Sequence, residues 1–358
     1  MKDVKLFHQC GFRYKWNMEV FSEDHIGDGF IFSPLDMSKK IISELDDGII
    51  KNSFFDSQFY LLNIYKDNYL SFKILEEVDS IYDFMIEKNK IAQKCVEYQN
   101  NIVLKYIVIP TIDLNLLSLD ENYGELYDQI KSENDDPSIV NINNKFKLLN
   151  KLIVQPFVNE IKEQKVNKEV LLTVIFDDEM AKNDTLFDSY LSQITDNENI
   201  DGIYLIPSND RTYKRVSDIN YLVRIMTFIY TLRKNDMEVI VGYSDIETIL
   251  YTAAGATGVS LGIYENLRNY DGRKFKNEKY NGRGPNPRVF SSKLFQWIEY
   301  VYLEVIKENK NLDEIFDKNN YFIETQNNDY KWHFSRPQCY KHFMSSYGNL
   351  IKSRNYSQ

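Results

Sequence analysis

Short apolar runs recur along this chain, and between them apolar residues fall three and four apart. The runs are Phe30–Asp36, Ser53–Leu62, Tyr106–Asp113, Glu169–Phe176, Gly202–Pro207, Val239–Val241 closed by Gly242, and Gly255–Gly262. Runs of this length bounded by turn residues predict strands covered on both faces. The segments between them predict helices: Met37–Leu45, 63–100, Asn143–Gln164, Val216–Lys234 and Asp245–Ala254. An eighth strand is predicted to begin at Arg288 and to pass into a helix ending near Asn309. Strands alternating with helices imply a parallel sheet with helices outside it. About eight such units predict a single α/β domain, a (β/α)8 barrel of the TIM type, over 1–309. Residues 1–28 show no clean period and read as an N-terminal extension. Residues 115–168 read as a polar insertion, and 310–358 as a C-terminal helical and aromatic tail. A doubly wound open sheet is the competing architecture. No Gly-x-Gly-x-x-Gly follows the first run and no P-loop is present, which counts against it.

Composition narrows the function classes. The formal charge is −10 over 358 residues, so no global field draws the protein to nucleic acid or to an anionic membrane. No apolar run approaches the roughly 20 residues of a membrane span. The first residues lack the apolar core of a signal peptide, so the expected location is cytoplasmic, without membrane contact. Cys10, Cys95 and Cys339 are scattered and predict reduced, buried thiols. His333, Cys339 and His342 do not have zinc-ligand spacing, so no zinc site is expected.

In a barrel the chemistry sits where the strands end. That rule singles out Asp36, Asp113 and Asp177 after three of the runs. Asp56, Gln58 and Tyr60 fall at alternate positions of the second run and share one face if it is a strand. They are polar groups flanked by aromatics in a segment that should be buried. Carboxylates so placed can act as acid, base or nucleophile, or hold Mg²⁺. Each also has a structural reading. Asp245 suits a helix N-cap, and Asp177 to Glu179 suit a solvated loop as well as a site.

A second set points to an anion. Gly242, Ser244, Gly262, Tyr264 and Arg268 follow the late strands, where barrels often bind phosphate. The same glycines equally suit tight packing. From Asn266 to Phe295 there are eight Lys/Arg, among them Arg273, Arg283 and Arg288, against two acids, inside a chain of net negative charge. Tyr270, Phe275 and Tyr280 are interleaved with them. Such a loop fits a phosphorylated small molecule or a nucleic acid, with bases stacking on the rings. A solvated loop, or contact with an acidic protein partner, is the other reading.

Met237 to Arg268, with strand-Gly, helix and then Ala-Gly-Ala-x-Gly-Val-x-x-Gly, resembles the late strands of many (β/α)8 enzymes. More narrowly it resembles the corresponding part of tRNA-guanine transglycosylases. The likeness covers about 30 residues. That family places its nucleophilic aspartate in the strand that here carries Ser260, and its Cys-x-Cys-x-x-Cys zinc cluster has no counterpart here. The resemblance implies base exchange or glycosidic-bond cleavage on a nucleotide-like substrate, with the catalytic group supplied from elsewhere in the barrel. Asp56 is the expected nucleophile or base, with Gln58 and Tyr60 orienting the substrate. The alternative is a barrel without catalysis that serves as a binding subunit of a multiprotein, nucleic-acid-linked system.

Overall fold

The computed structural model describes residues 3–34, 36–61, 81–113, 146, 149–209, 216–272, 287–327 and 332–354. Eight strands form one sheet: β1 Lys5–Gln9, β2 Gly29–Phe32, β3 Phe54–Phe55, β4 Tyr106–Ile109, β5 Glu169–Phe176, β6 Gly202–Pro207, β7 Glu238–Val241 and β8 Gly258–Gly262. Their order is β3-β2-β1-β8-β7-β6-β5-β4, and all neighbours run parallel. The two ends of that order meet, where the Lys105 N–H donates to the Ser53 carbonyl at 3.2 Å. The sheet therefore curls into a nearly closed α/β barrel of the TIM type.

Helices return the chain between strands, and their signals are local. Asp218 caps Ile219–Lys234 by accepting from the Asn220 and Tyr221 N–H groups. Its buried residues, Tyr221, Ile225, Phe228, Ile229 and Leu232, mark one face laid on the sheet. Asn183 caps Asp184–Thr195 in the same way. Inside the barrel the register sets Thr173, Tyr204, Ile240 and Gly258 side by side. The waist is filled by rings packed edge to face: Phe54 lies 5.4 Å from Phe7, 5.9 Å from Tyr106 and 5.2 Å from Tyr204.

The N-terminal floor of the barrel is ionic. Lys5 Nζ lies 2.6 Å from Glu238 Oε1 and donates to the Tyr106 hydroxyl at 2.7 Å. Tyr106 donates to Glu238 at 2.9 Å, and Lys105 pairs with Glu169 at 3.3 Å.

The strands depart from the hydrophobic pattern at both ends of the chain. The strand between β2 and β8 is Lys5–Gln9, inside the segment read as an extension. It was hidden because His8 and Gln9 are polar yet fully buried, each with a partner inside the fold. The run at Arg288 does not join the barrel. β9 Arg288–Ser291 pairs antiparallel with β10 Gln296–Glu299 as a separate hairpin. Its alternation serves two cores: Phe290 belongs to the barrel cluster and Val289 to a smaller cluster with Tyr300, Leu303 and Phe316. Packing does not break at 309 either. The last helix, Trp332–Arg354, places Phe343, Met344, Tyr347 and Ile351 in the barrel core cluster. The predicted helix before position 81, most of the polar insertion, and Arg273, Arg283, Phe275 and Tyr280 of the basic loop lie outside the described residues.

Candidate active site at the mouth of the barrel

Three of the predicted residues converge, but not by strand alternation. β3 is only two residues long. The Asp56 N–H still reaches the Phe32 carbonyl at 2.9 Å, and then the chain turns. Gln58 adopts a left-handed backbone, φ 54°, and a single 3₁₀ turn, Phe59–Leu61, follows. Asp56 Oδ1 accepts from the Gln58 N–H at 3.0 Å, an Asx turn. The 3₁₀ turn folds Tyr60 back so that its hydroxyl donates to Asp56 Oδ2 at 2.5 Å.

The side chain of Gln58 fixes the rest. Its Oε1 accepts from the Ser33 hydroxyl at 2.5 Å, and its Nε2 donates to the Tyr243 hydroxyl at 2.9 Å. The Tyr60 and Tyr243 oxygens are 3.0 Å apart. Because Tyr60 gives its proton to Asp56, Tyr243 must donate to Tyr60. The hydrogen bonds thus run in one direction, from Gln58 through Tyr243 and Tyr60 to the Asp56 carboxylate. Tyr243 follows Gly242 at the end of β7 and is also left-handed, φ 45°. Non-glycine residues in this region cost of order 1 kcal/mol or more each, and such strain gathers at functional sites. A Cβ on Gly242 would fall on the Tyr204 ring and hydroxyl, so glycine there is what admits Tyr204. Tyr204 in turn donates to Gln9 Oε1 at 3.2 Å.

Asp56 is 1% exposed. Burial pushes its carboxyl up to about 6, against the hydrogen bonds from the Tyr60 hydroxyl and the Gln58 N–H, which pull it down. Asp36 is also pushed up to about 6 by burial, and the Tyr243 hydroxyl is raised first by burial and then by the charges of Asp56 and Asp36. A carboxyl that ionises near neutrality at the end of a directed chain of hydroxyls can take up or release a proton at physiological pH.

The other predicted carboxylates stand beside this network. Asp113 accepts from the Tyr270 hydroxyl at 3.1 Å, and the Tyr270 ring meets Tyr60 at 5.1 Å and Tyr243 at 5.7 Å. Asp113 and Asp177 line one small cavity of about 30 Å³ together with Tyr190 and Thr173, room for about one water. Asp177 also caps Asp178–Lys182, accepting from the Met180 N–H at 2.7 Å.

The predicted anion residues are divided. Space above Gly262 is taken by the Leu267 backbone, so this glycine serves packing. Tyr264 stacks among Phe12, Trp16 and Tyr340. Arg288 reaches Glu299 across the hairpin at 3.9 Å. Ser244 and Arg268 are buried at the mouth, and Asp245 does not act as a side-chain cap but faces Arg268 at 3.8 Å. Among the described residues no group of three or more acidic, His or Cys side chains is placed to hold a metal ion. No described helix is long and apolar enough to cross a membrane.

No family model and no curated protein matches the chain.

Sequence reasoning missed Tyr204, Tyr243, Ser33 and Gln9, and singled out Tyr270 only as a ring for stacking on bases, not as a partner of Asp113. Tyr204 sits inside an apolar run, Gly202–Pro207, where a tyrosine reads as core. The one usable signal was Gly242-Tyr243, a glycine at a strand end followed by a large polar ring.

Proposed function

We propose that this barrel is an enzyme in which Asp56 exchanges a proton with a phosphorylated or nucleotide-like small molecule at the mouth, in glycosidic-bond cleavage or base exchange. The observation that carries the reading is the buried Asp56 carboxyl. It accepts from the Tyr60 hydroxyl and the Gln58 N–H, is pushed up to about 6, and ends a network in which Gln58 and Tyr243 have left-handed backbone. A polar core built for stability alone has no use for a carboxyl raised in this way. Gln58 and Tyr60 orient substrate as well as Asp56, while Asp36, Asp113 and Asp177 surround it. The anionic part of the substrate is met by residues after β7 and β8 and by the basic loop. The resemblance of Met237 to Arg268 to tRNA-guanine transglycosylases supplies the reaction class.

Native mass spectrometry of the purified chain tests this by asking what small molecule it retains. Asp56→Asn should lose turnover of that molecule by at least about 100-fold, the scale of a removed acid–base group. Equal turnover and equal retention in the variant would remove Asp56 from the mechanism.

A second reading, a binding subunit without catalysis, is favoured by the apolar outer face of Tyr302–Asn309, where Tyr302 and Val305 are each 56% exposed. Co-purification of a protein partner that is lost in Val305→Asp, with unaltered behaviour of Asp56→Asn, is the result that would select it.

A further inference from the structure

At the end of β8 the chain forms a 3₁₀ turn, Glu265–Leu267, and delivers Arg268 inward, where it is 7% exposed. Its guanidinium carbon lies 4.4 Å from the Trp297 ring centre and 4.7 Å from that of Phe343. These rings hold the flat face of the side chain but offer nothing to its N–H groups. Asp245 Oδ2 is 3.8 Å from Nε, too far for a hydrogen bond. The Asp245 backbone carbonyl accepts from the Tyr347 hydroxyl at 2.9 Å and from the Thr248 N–H at 3.0 Å, and its Oδ1 is buried without a partner. Arg268 Nε and Nη1 are therefore buried donors without acceptors. The indole Nε1 of Trp297 and the hydroxyl of Ser244, 2% exposed, are buried without partners as well.

Unsatisfied buried donors are uncommon, and a charged one is the costliest to leave without an acceptor. Here two of them belong to Arg268, a third to Trp297, whose ring lies 4.4 Å from the guanidinium carbon, and a fourth to Ser244, the residue before the Asp245 that faces Arg268. We infer that Arg268, Trp297 and Ser244 form an oxyanion-binding site, which takes a phosphoryl or carboxylate group through the guanidinium edge, the indole N–H and the hydroxyl. Asp245 sets the orientation of the guanidinium and keeps the empty site from carrying a bare positive charge. The hairpin β9–β10 is then part of the site, because it alone brings Trp297 over Arg268. This inference rests on the proposed reading that the substrate is anionic, and it names the residues that meet its charge.

Titration of the full chain with inorganic phosphate, sulfate and acetate, followed by thermal unfolding and by tryptophan fluorescence, tests it. A saturable stabilisation by phosphate or sulfate is expected, and a response to acetate in their place would identify a carboxylate ligand. Arg268→Gln should abolish the response. Trp297→Phe keeps the ring against Arg268 and removes only the N–H, so it guards against a variant that fails to fold. It should weaken binding by about tenfold, as expected for a hydrogen bond to a charged group. Asp56→Asn should bind the anion as the parent does. No saturable response to any of the three anions, or a response unchanged in both Arg268→Gln and Trp297→Phe, overturns the site. If anion binding holds while Asp56→Asn keeps full turnover, the proposed chemistry fails and this inference stands.

Discussion

The two ends of the barrel interior both bury carboxylates, and they treat them in opposite ways. At the floor, burial pushes Glu238 up, but the Lys5 ammonium at 2.6 Å, together with hydrogen bonds from Glu169 and Tyr106, outweighs it and holds the carboxyl below its usual range. At the mouth, Asp56 has the Tyr60 hydroxyl, the Gln58 N–H and no such ammonium acting on it, and it is pushed up to about 6. Left-handed non-glycine residues occur on both sides, Asp236 and Lys165 before the strands at the floor and Gln58 and Tyr243 at the mouth, so the ends differ in how charge is held and not in backbone strain. A paired charge stabilises its state of ionisation, and a charge held only by neutral dipoles remains adjustable. In TIM barrels the N-terminal face commonly serves stability and the C-terminal face chemistry, and the contrast between Glu238 and Asp56 has that sense.

The largest effect should come from the floor. Glu238→Ala removes the acceptor of both Lys5 and Tyr106 and leaves an ammonium half sunk in the barrel. Breaking a buried pair costs about 3–5 kcal/mol, and with Lys5 a third exposed the lower end applies, about 3 kcal/mol. Denaturant midpoints measure it. A loss under 1 kcal/mol would mean the floor is solvated and the contrast between the two ends is false.

Asp56→Asn should act in the opposite direction. The carboxyl is raised from 3.8 to about 6, so the folded protein holds this proton more tightly than the unfolded chain. Its favourable contribution is complete below the unfolded value and is lost as pH rises through about 6. At pH 7 the ionised form costs up to about 3 kcal/mol, and after the weakened hydrogen bonds are deducted Asn should stabilise by about 1–2 kcal/mol. The gain must shrink as pH falls towards 4. His8 and His342 work against this. Burial depresses both to about 4, so each takes up a proton in the unfolded chain first, and stability is lost as pH falls from 6.5. In the parent protein the two raised aspartates offset the two histidines over the same range. Asp56→Asn removes one offset, so its acid-induced loss should be the steeper. A flat difference between the proteins from pH 4 to 7 would show that Asp56 is not raised.

Much of this contrast was not legible in the sequence, for physical reasons that differ by end. The strands with apolar runs, β5 to β8, stood out because they are covered on both faces. β1 did not, because its Lys5 and Gln9 point to the floor and mouth networks and its His8 is buried among Ile26, Asn17 and Phe30. Long-range pairing of this kind leaves no periodic trace. Asp56, Gln58 and Tyr60 were found as a group through an assumed alternation, although a turn with a left-handed residue is what unites them. Their partners come from 183 and 185 positions away, a separation no local pattern encodes.

The smallest effect is the most selective. Tyr243→Phe removes the hydroxyl that lies 2.9 Å from Gln58 Nε2 and donates to Tyr60, at a cost of about 1–2 kcal/mol. Tyr106→Phe at the floor deletes a hydroxyl that donates to Glu238 at 2.9 Å and should cost about the same. Their electrostatic consequences should differ. At the mouth, Tyr60 loses the donor that polarises it, its bond to Asp56 weakens, and the Asp56 carboxyl rises further. At the floor, Lys5 remains 2.6 Å from Glu238 and keeps it low. Carboxyl-carbon NMR titration of the two variants separates these outcomes. Equal movement of Asp56 and Glu238 would show that the cation at the floor does not decide how each end holds its charge.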